Sequence, residues 1–271
     1  MPFASVHGAR IHHELTGSGS PLVLVLPQSV GPHGHATLIE ALACSHRVLT
    51  YHQRGTGRSD AAPPAQSIAS LAEDLSALMQ AVGFERAHMV CHSTGCGVGQ
   101  ALAAAHPEHA ASLVLTSPWT HADTHLSVMQ NLRIAAATAL DAQSYAWFNA
   151  ALLFPPEFRR THEAGFIRMA QDARGKPQDA ADIARRLNAI LAFDARPLWP
   201  SITCPTLVLT TRDDQLMPCW HAAAAAAGIA GARLHEFDGG GHMLPQTRTG
   251  EFAHTVLAFL AGVAPGPTPA R

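Results

Sequence analysis

Residues 89–99 read MVCHSTGCGVG. The apolar run His88–Cys91 reads as a strand, and Thr94–Ala105, rich in Gly and Ala, reads as a helix able to lie close against a sheet. Ser93 therefore falls at a sharp strand-to-helix turn. Such a turn needs small neighbours two residues to either side, which Cys91 and Gly95 supply. It lifts the hydroxyl above the strand ends, while the new helix aims its unpaired backbone N–H groups at any anion forming there. The expectation is a nucleophile held above the sheet, with Cys91 standing where such turns usually carry glycine.

Outward from this turn, short runs rich in Val, Leu and Ile recur along the chain with turn residues at their ends. They are Gly8–Leu15, Leu22–Leu26, Arg47–Tyr51, Leu113–Thr116, Thr206–Thr210 and Ala232–Phe237. The middle runs are apolar throughout, as strands covered on both faces are, and helical patterns fall between them. One helix follows Ser67, a plausible N-cap, carries Ile68, Leu71, Leu75, Leu78, Met79 and Val82 on one stripe, and ends at Gly83. Another spans Glu251–Leu260. The expected fold class is α/β, a mostly parallel central sheet flanked by helices. Between Trp119 and Pro200 the strand pattern stops and Ala, Arg and aromatic residues (Tyr145, Trp147, Phe148, Phe154, Phe158, Phe166) take over. The division expected is a core of residues 1–118 and 201–263, a helical cap of residues 119–200 inserted before the last strands, and a loose tail, 264–271 (APGPTPAR).

A serine hydroxyl is a poor nucleophile until a base takes its proton, and the base needs a carboxylate to orient it. Both occur downstream, where the fold would place them. The strand TLVLTT runs into RDDQLMP, with Asp213 and Asp214, and ARLHEF runs into DGGGHMLP, with His242 in a glycine loop. Asp123, after an earlier strand, is a fallback for the acid. His92, beside the serine, reads as packed beneath the turn.

YHQRGTGRSD (Tyr51–Asp60), CHSTG (Cys91–Gly95), DDQLMP (Asp213–Pro218) and GGGHMLP (Gly239–Pro245), in that order, resemble the α/β-hydrolase superfamily along nearly the whole chain. Within it, QSVG (Gln28–Gly31) is similar to the NSLG of 3-oxoadipate enol-lactonases, and YHQRGTG, LLFPPEF and RRLNAI resemble aminoacrylate hydrolases of pyrimidine utilisation. The resemblance implies a Ser93–His242–Asp214 triad, Asp214 being favoured by its distance from Pro218. It also implies an oxyanion hole from the backbone N–H groups of Val30 and Thr94. Gln28, Ser29, Trp147 and Arg186 are candidate substrate contacts, Arg186 for a substrate carboxylate, although Arg185 and Arg186 are adjacent on a helix and at most one should face a pocket. The implied reaction is hydrolysis of an ester, lactone or amide of a small metabolite. Carbon–carbon bond hydrolysis, cofactor-free dioxygenation and a non-catalytic small-molecule receptor are the alternatives.

The 271 residues are 47% hydrophobic and 14% charged with a formal net charge of −2, which excludes extensive disorder and gives no basic stripe for nucleic acid. No apolar run approaches the ~20 residues of a membrane span, and the start lacks a secretory core, so a cytoplasmic location is expected. The five cysteines form no CxxC pair. Of 18 histidines, His12–His13, His33–His35 and His121–His125 around Asp123 cluster, but a catalytic metal wants three converging ligands with orienting partners behind them, and no HExxH or comparable signature occurs. Neither metal nor cofactor is expected. The expected partner is a small-molecule substrate, with neither nucleic acid nor membrane, and a homodimer is left open.

Overall fold

The computed structural model describes residues 3–28 and 32–263; the tail expected over 264–271 lies outside them. Eight strands form one sheet: β1 (Phe3–Val6), β2 (Ala9–Thr16), β3 (Ser20–Val25), β4 (His46–Tyr51), β5 (Ala87–His92), β6 (Ala110–Thr116), β7 (Thr206–Thr211) and β8 (Arg233–Phe237). Their spatial order is β1-β2-β4-β3-β5-β6-β7-β8. All pairs from β4 to β8 are parallel, while β1–β2 and β2–β4 are antiparallel. The sequence reading omits β1. Only Val6 of that strand is buried, so a four-residue edge strand leaves almost no apolar signal.

The helices are α1 (Ala36–Ala43), α2 (Ile68–Ala81), α3 (Thr94–Ala105), α4 (Thr124–Ala139), α5 (Ala142–Leu153), α6 (Pro156–Thr161), α7 (Glu163–Ala173), α8 (Ala180–Leu191), α9 (Cys219–Gly228), α10 (Leu244–Thr247) and α11 (Thr249–Ala261). Ser67 caps α2 by accepting from the Ser70 N–H at 3.1 Å, and Ser70 reciprocates by accepting from the Ser67 N–H. None of the helices among the described residues is long and apolar enough to cross a membrane.

Strand alternation sorts the core into two layers. Val23 and Val25 of β3, with Met89 and Cys91 of β5, face Leu71, Leu75, Val98 and Leu102 of α2 and α3. Leu22 and Leu24, with Val90 and Val114, face Leu38 and Leu42 of α1 and Phe252, Val256 and Phe259 of α11. Both faces of the central strands are thus apolar, which is why those segments read as unbroken hydrophobic runs. The chain runs from β3 outward to β4 and returns to β5 on the other side of β3. The strand order reverses between β3 and β5, and a crevice opens beyond their carboxyl ends. The segment between β6 and β7 is helical, α4 to α8, with no sheet strand.

Candidate active site

β5 ends at His92 and α3 begins at Thr94, leaving Ser93 between them at φ 53° and ψ −121°. A non-glycine residue held in this region is strained and persists only because its surroundings impose it. The constraints are visible. The Ser93 N–H donates to the Thr116 carbonyl at 2.9 Å, and the Ser93 carbonyl accepts from the Cys96 N–H at 2.7 Å. A Cβ on Gly95 would lie 2.0 Å from the Val25 carbonyl oxygen, so the second small position of the turn must be glycine. At the first, Cys91 is accommodated from across the helix, because Gly99 leaves room for its sulfur: a Cβ on Gly99 would be 2.4 Å from it.

His242 reaches Ser93 from the loop between β8 and α10. Its Nε2 lies 2.8 Å from Ser93 Oγ and its Nδ1 lies 2.9 Å from Asp214 Oδ2, with all three residues buried. The other Asp214 oxygen accepts from the N–H groups of Leu216 and Met217, both at 2.9 Å, which fixes the carboxylate. Asp213 is exposed, yet it is not idle: it accepts from the N–H groups of Gly241 at 2.8 Å and Gly240 at 3.3 Å, fastening the loop that carries His242. Gly240 and Gly241 have φ 134° and 64°, so glycine is required for this path. Asp123, the fallback acid, N-caps α4 through the Leu126 N–H (2.8 Å) and accepts from Trp220 Nε1 (3.0 Å).

His92 is buried beneath the serine and donates through Nε2 to the His242 carbonyl at 2.8 Å. Burial, with His242 and His35 nearby, drives its pKa well below the ordinary imidazole value, so the ring is neutral. Burial likewise pushes His35 down to about 4.

Above Ser93 lies a cavity of about 740 Å³, walled by the core loops and by α4, α5, α7 and α8. Thr94 opens α3, so its backbone N–H has no acceptor within the helix. Its hydroxyl accepts from the Gln28 N–H at 3.2 Å, tying the loop after β3 to the turn, and Gln28 itself lines the cavity. Ser29 and Val30 lie outside the described residues. Arg186 does face the cavity and Arg185 does not line it. The guanidinium of Arg186 is already engaged, however, contacting Asp182 at 2.9 Å and the Gln28 carbonyl at 3.3 Å. Trp147 requires correction. It is 38% exposed and does not line the cavity, because Ala146, Asn149, Ala150 and Leu153 form the inward stripe of α5 and Trp147 falls off that stripe.

A cationic cavity residue is missing from the sequence reading. Arg133 of α4 is buried, lines the cavity, and donates to the amide oxygens of Gln130 (3.0 Å) and Asn149 (3.3 and 3.2 Å). Among the described residues it forms no ion pair, and burial lowers its pKa from the ordinary value. An arginine in an Ala-rich helix looks like a surface residue, and its only sequence signal is the arginine content of the inserted segment.

Comparison with known proteins bears on the same region. The sequence profile of a family described as alpha/beta hydrolase fold matches residues 21–247. The chain is 30% identical over 259 residues to "Putative carbamate hydrolase RutD" of Azorhizobium caulinodans, covering 96% of this chain and 98% of that protein. It is 32% identical over 261 residues to the protein of the same name from Variovorax paradoxus, covering 94% and 98%. Among solved structures, the enol-lactonase from Burkholderia xenovorans LB400 superposes with a TM-score of 0.86 at 26% identity, covering 96% of this chain and all of that one.

Proposed function

The chain belongs to the α/β hydrolase fold family, and from that membership we propose that it is a serine hydrolase of a small, carboxylated metabolite, cleaving an ester, lactone or amide-type bond through an acyl-enzyme. The observation that carries the reading is the continuous relay Asp214 Oδ2 to His242 Nδ1 (2.9 Å) and His242 Nε2 to Ser93 Oγ (2.8 Å). Ser93 Oγ attacks the substrate carbonyl carbon as His242 Nε2 takes its proton, and Asp214 stabilises the imidazolium. The negative oxygen of the tetrahedral intermediate is received by the Thr94 N–H, with Val30 as the second donor by family likeness. His242 then hands its proton to the leaving oxygen or nitrogen. Water, deprotonated by the same ring, adds to the acyl carbon and releases the acid and the serine. The carbamate in the relatives' names offers the same kind of acyl carbon, flanked by oxygen and nitrogen. The helices over residues 119–200 act as the cap that shapes the cavity and keeps bulk water from it.

The carboxylated substrate rests on Arg133. A buried guanidinium that meets the amide oxygens of Gln130 and Asn149 and the Tyr145 side chain, but no carboxylate, is costly, and an anionic substrate entering the cavity offsets that cost. The deciding experiment is hydrolysis of short p-nitrophenyl esters by the wild type and Ser93→Ala. Loss of at least about a thousandfold in kcat supports the serine mechanism. Turnover that survives the substitution overturns it, and ligand-induced thermal shifts without any turnover point instead to a receptor.

A further inference from the structure

At the end of α3 remote from Ser93, the chain reads His106-Pro107-Glu108-His109. Among the described residues, a single group of three His, Cys, Asp or Glu side chains brings its ligand atoms within 4.8 Å of one another, and it is His106, Glu108 and His109. His106 Nδ1 lies 3.6 Å and His109 Nε2 3.9 Å from Glu108 Oε1. A tetrahedral ion with bonds of 2.0–2.1 Å holds its ligand atoms about 3.4 Å apart, so these two pairs need to close by only a few tenths of an ångström.

The hydrogen bonds behind the rings are more telling than the clustering. His109 Nδ1 is 2.6 Å from the Glu85 carbonyl oxygen, which can only accept, so Nδ1 carries the proton and Nε2 presents its lone pair toward Glu108. His106 Nε2 sits 3.0 Å from both oxygens of Glu73, so in the neutral ring Nε2 carries the proton and Nδ1 presents its lone pair. Each histidine is thus oriented from its outer nitrogen by an oxygen acceptor, one of them a carboxylate, which is the outer-shell arrangement of metal-bound imidazole. His109 is nearly buried, His106 is partly exposed and Glu108 is exposed, which leaves the remaining coordination position open to water. Among the described residues the one competing donor is Gln80 Nε2, 3.4 Å from His109 Nε2, a long contact that a cation would displace.

We propose that His106, Glu108 and His109 form a binding site for a divalent transition-metal ion, Zn²⁺ in the first instance. Two imidazoles and one carboxylate suit that class and not Mg²⁺ or Ca²⁺, which prefer oxygen ligands. The ion is structural. It lies about 18 Å from the nucleophile along a 12-residue helix, and it clips the end of α3, through Glu73, to α2 and, through Glu85, to the segment before β5.

The test is calorimetric titration of the full, tag-free chain, stripped with EDTA, with ZnCl₂ and in parallel with MgCl₂, together with melting curves. The expected result is one Zn²⁺ per chain with a rise in Tm, no response to Mg²⁺, binding lost in Glu108→Gln combined with His106→Asn, and ester hydrolysis unchanged in that variant. Glu73→Ala should weaken Zn²⁺ about 10- to 100-fold, as loss of an orienting acceptor does. Absence of Zn²⁺ binding overturns the proposal. So does binding that persists undiminished in the double variant, since the ion then sits on other histidines. Undiminished Zn²⁺ affinity in Glu73→Ala, with only a lower Tm, reduces the Glu73–His106 contact to an ordinary ion pair and overturns the oriented-ligand argument.

Discussion

Ser93 pays for its position with backbone strain of about 1–3 kcal/mol, because φ 53° disfavours any residue with a Cβ. Three expectations belong to this scale. Ser93→Gly should be inactive yet melt a few degrees above Ser93→Ala, since glycine adopts the same φ without penalty; equal melting temperatures would mean that the turn is not strained. Gly95→Ala should do the reverse. Its methyl would be driven to 2.0 Å from the Val25 carbonyl, so either β3 and α3 separate or the chain fails to fold, and a Tm within a degree of wild type would contradict the close approach. Asp214→Asn tests the relay with little change in volume. The amide can still accept from Leu216 and Met217, but it presents the wrong partner to His242 Nδ1, so kcat should drop by about 10⁴ with KM little changed.

Among the elements, α4 and α5 wall the cavity. Their facing sides bring Arg133 to Asn149, and under the proposed function that guanidinium would receive the substrate carboxylate. Arg133→Met should raise KM for carboxylated esters by about 10- to 150-fold, the worth of a charge-assisted hydrogen bond, while leaving neutral esters within about threefold. An equal loss for both substrates would assign Arg133 to packing between α4 and α5 alone. The loop between β8 and α10 is governed by a different contact. Asp213 holds its glycines from the turn after β7, so Asp213→Ala should loosen the seat of His242 and lower kcat without a matching rise in KM, which steady-state kinetics on one neutral ester resolves.

For the whole molecule, the buried neutral histidines lower stability as the pH falls. His35 and His88 are pushed by burial down to about 4, His88 with help from His46 and Arg86, whereas in the unfolded chain both titrate near 6.5. Above pH 6.5 neither state binds these protons and nothing is lost. Between 6.5 and about 4 the unfolded chain takes them up and the native state does not, so stability falls with falling pH, by up to about 1.4 kcal/mol per pH unit for each ring. Among the described residues neither nitrogen of His35 has a hydrogen-bond partner, so His35→Leu should flatten this dependence and raise the urea midpoint at pH 5 more than at pH 7.5. Identical shifts at both pH values would remove His35 from the account.

The β-rich runs, the Ser67 cap, the α3 helix and the order of serine, acid and histidine were legible in the chain, because strand alternation, capping and the tight turn at Ser93 are local requirements written in neighbouring residues. β1 was not, since an edge strand with one buried side chain carries no pattern. Nor were the inward stripe of α5, which excludes Trp147, the pairing of Arg186 with Asp182 and Gln28, or the buried Arg133. Which face of a surface-like helix meets a cavity depends on how separate helices dock, and a single helix sequence rich in alanine is compatible with several dockings. The convergence of His106, Glu108 and His109 with Glu73 and Glu85 belongs to the same class: the ligands are neighbours in sequence, but the groups that aim their lone pairs come from α2 and from the segment before β5, and only the packed molecule brings them behind the rings.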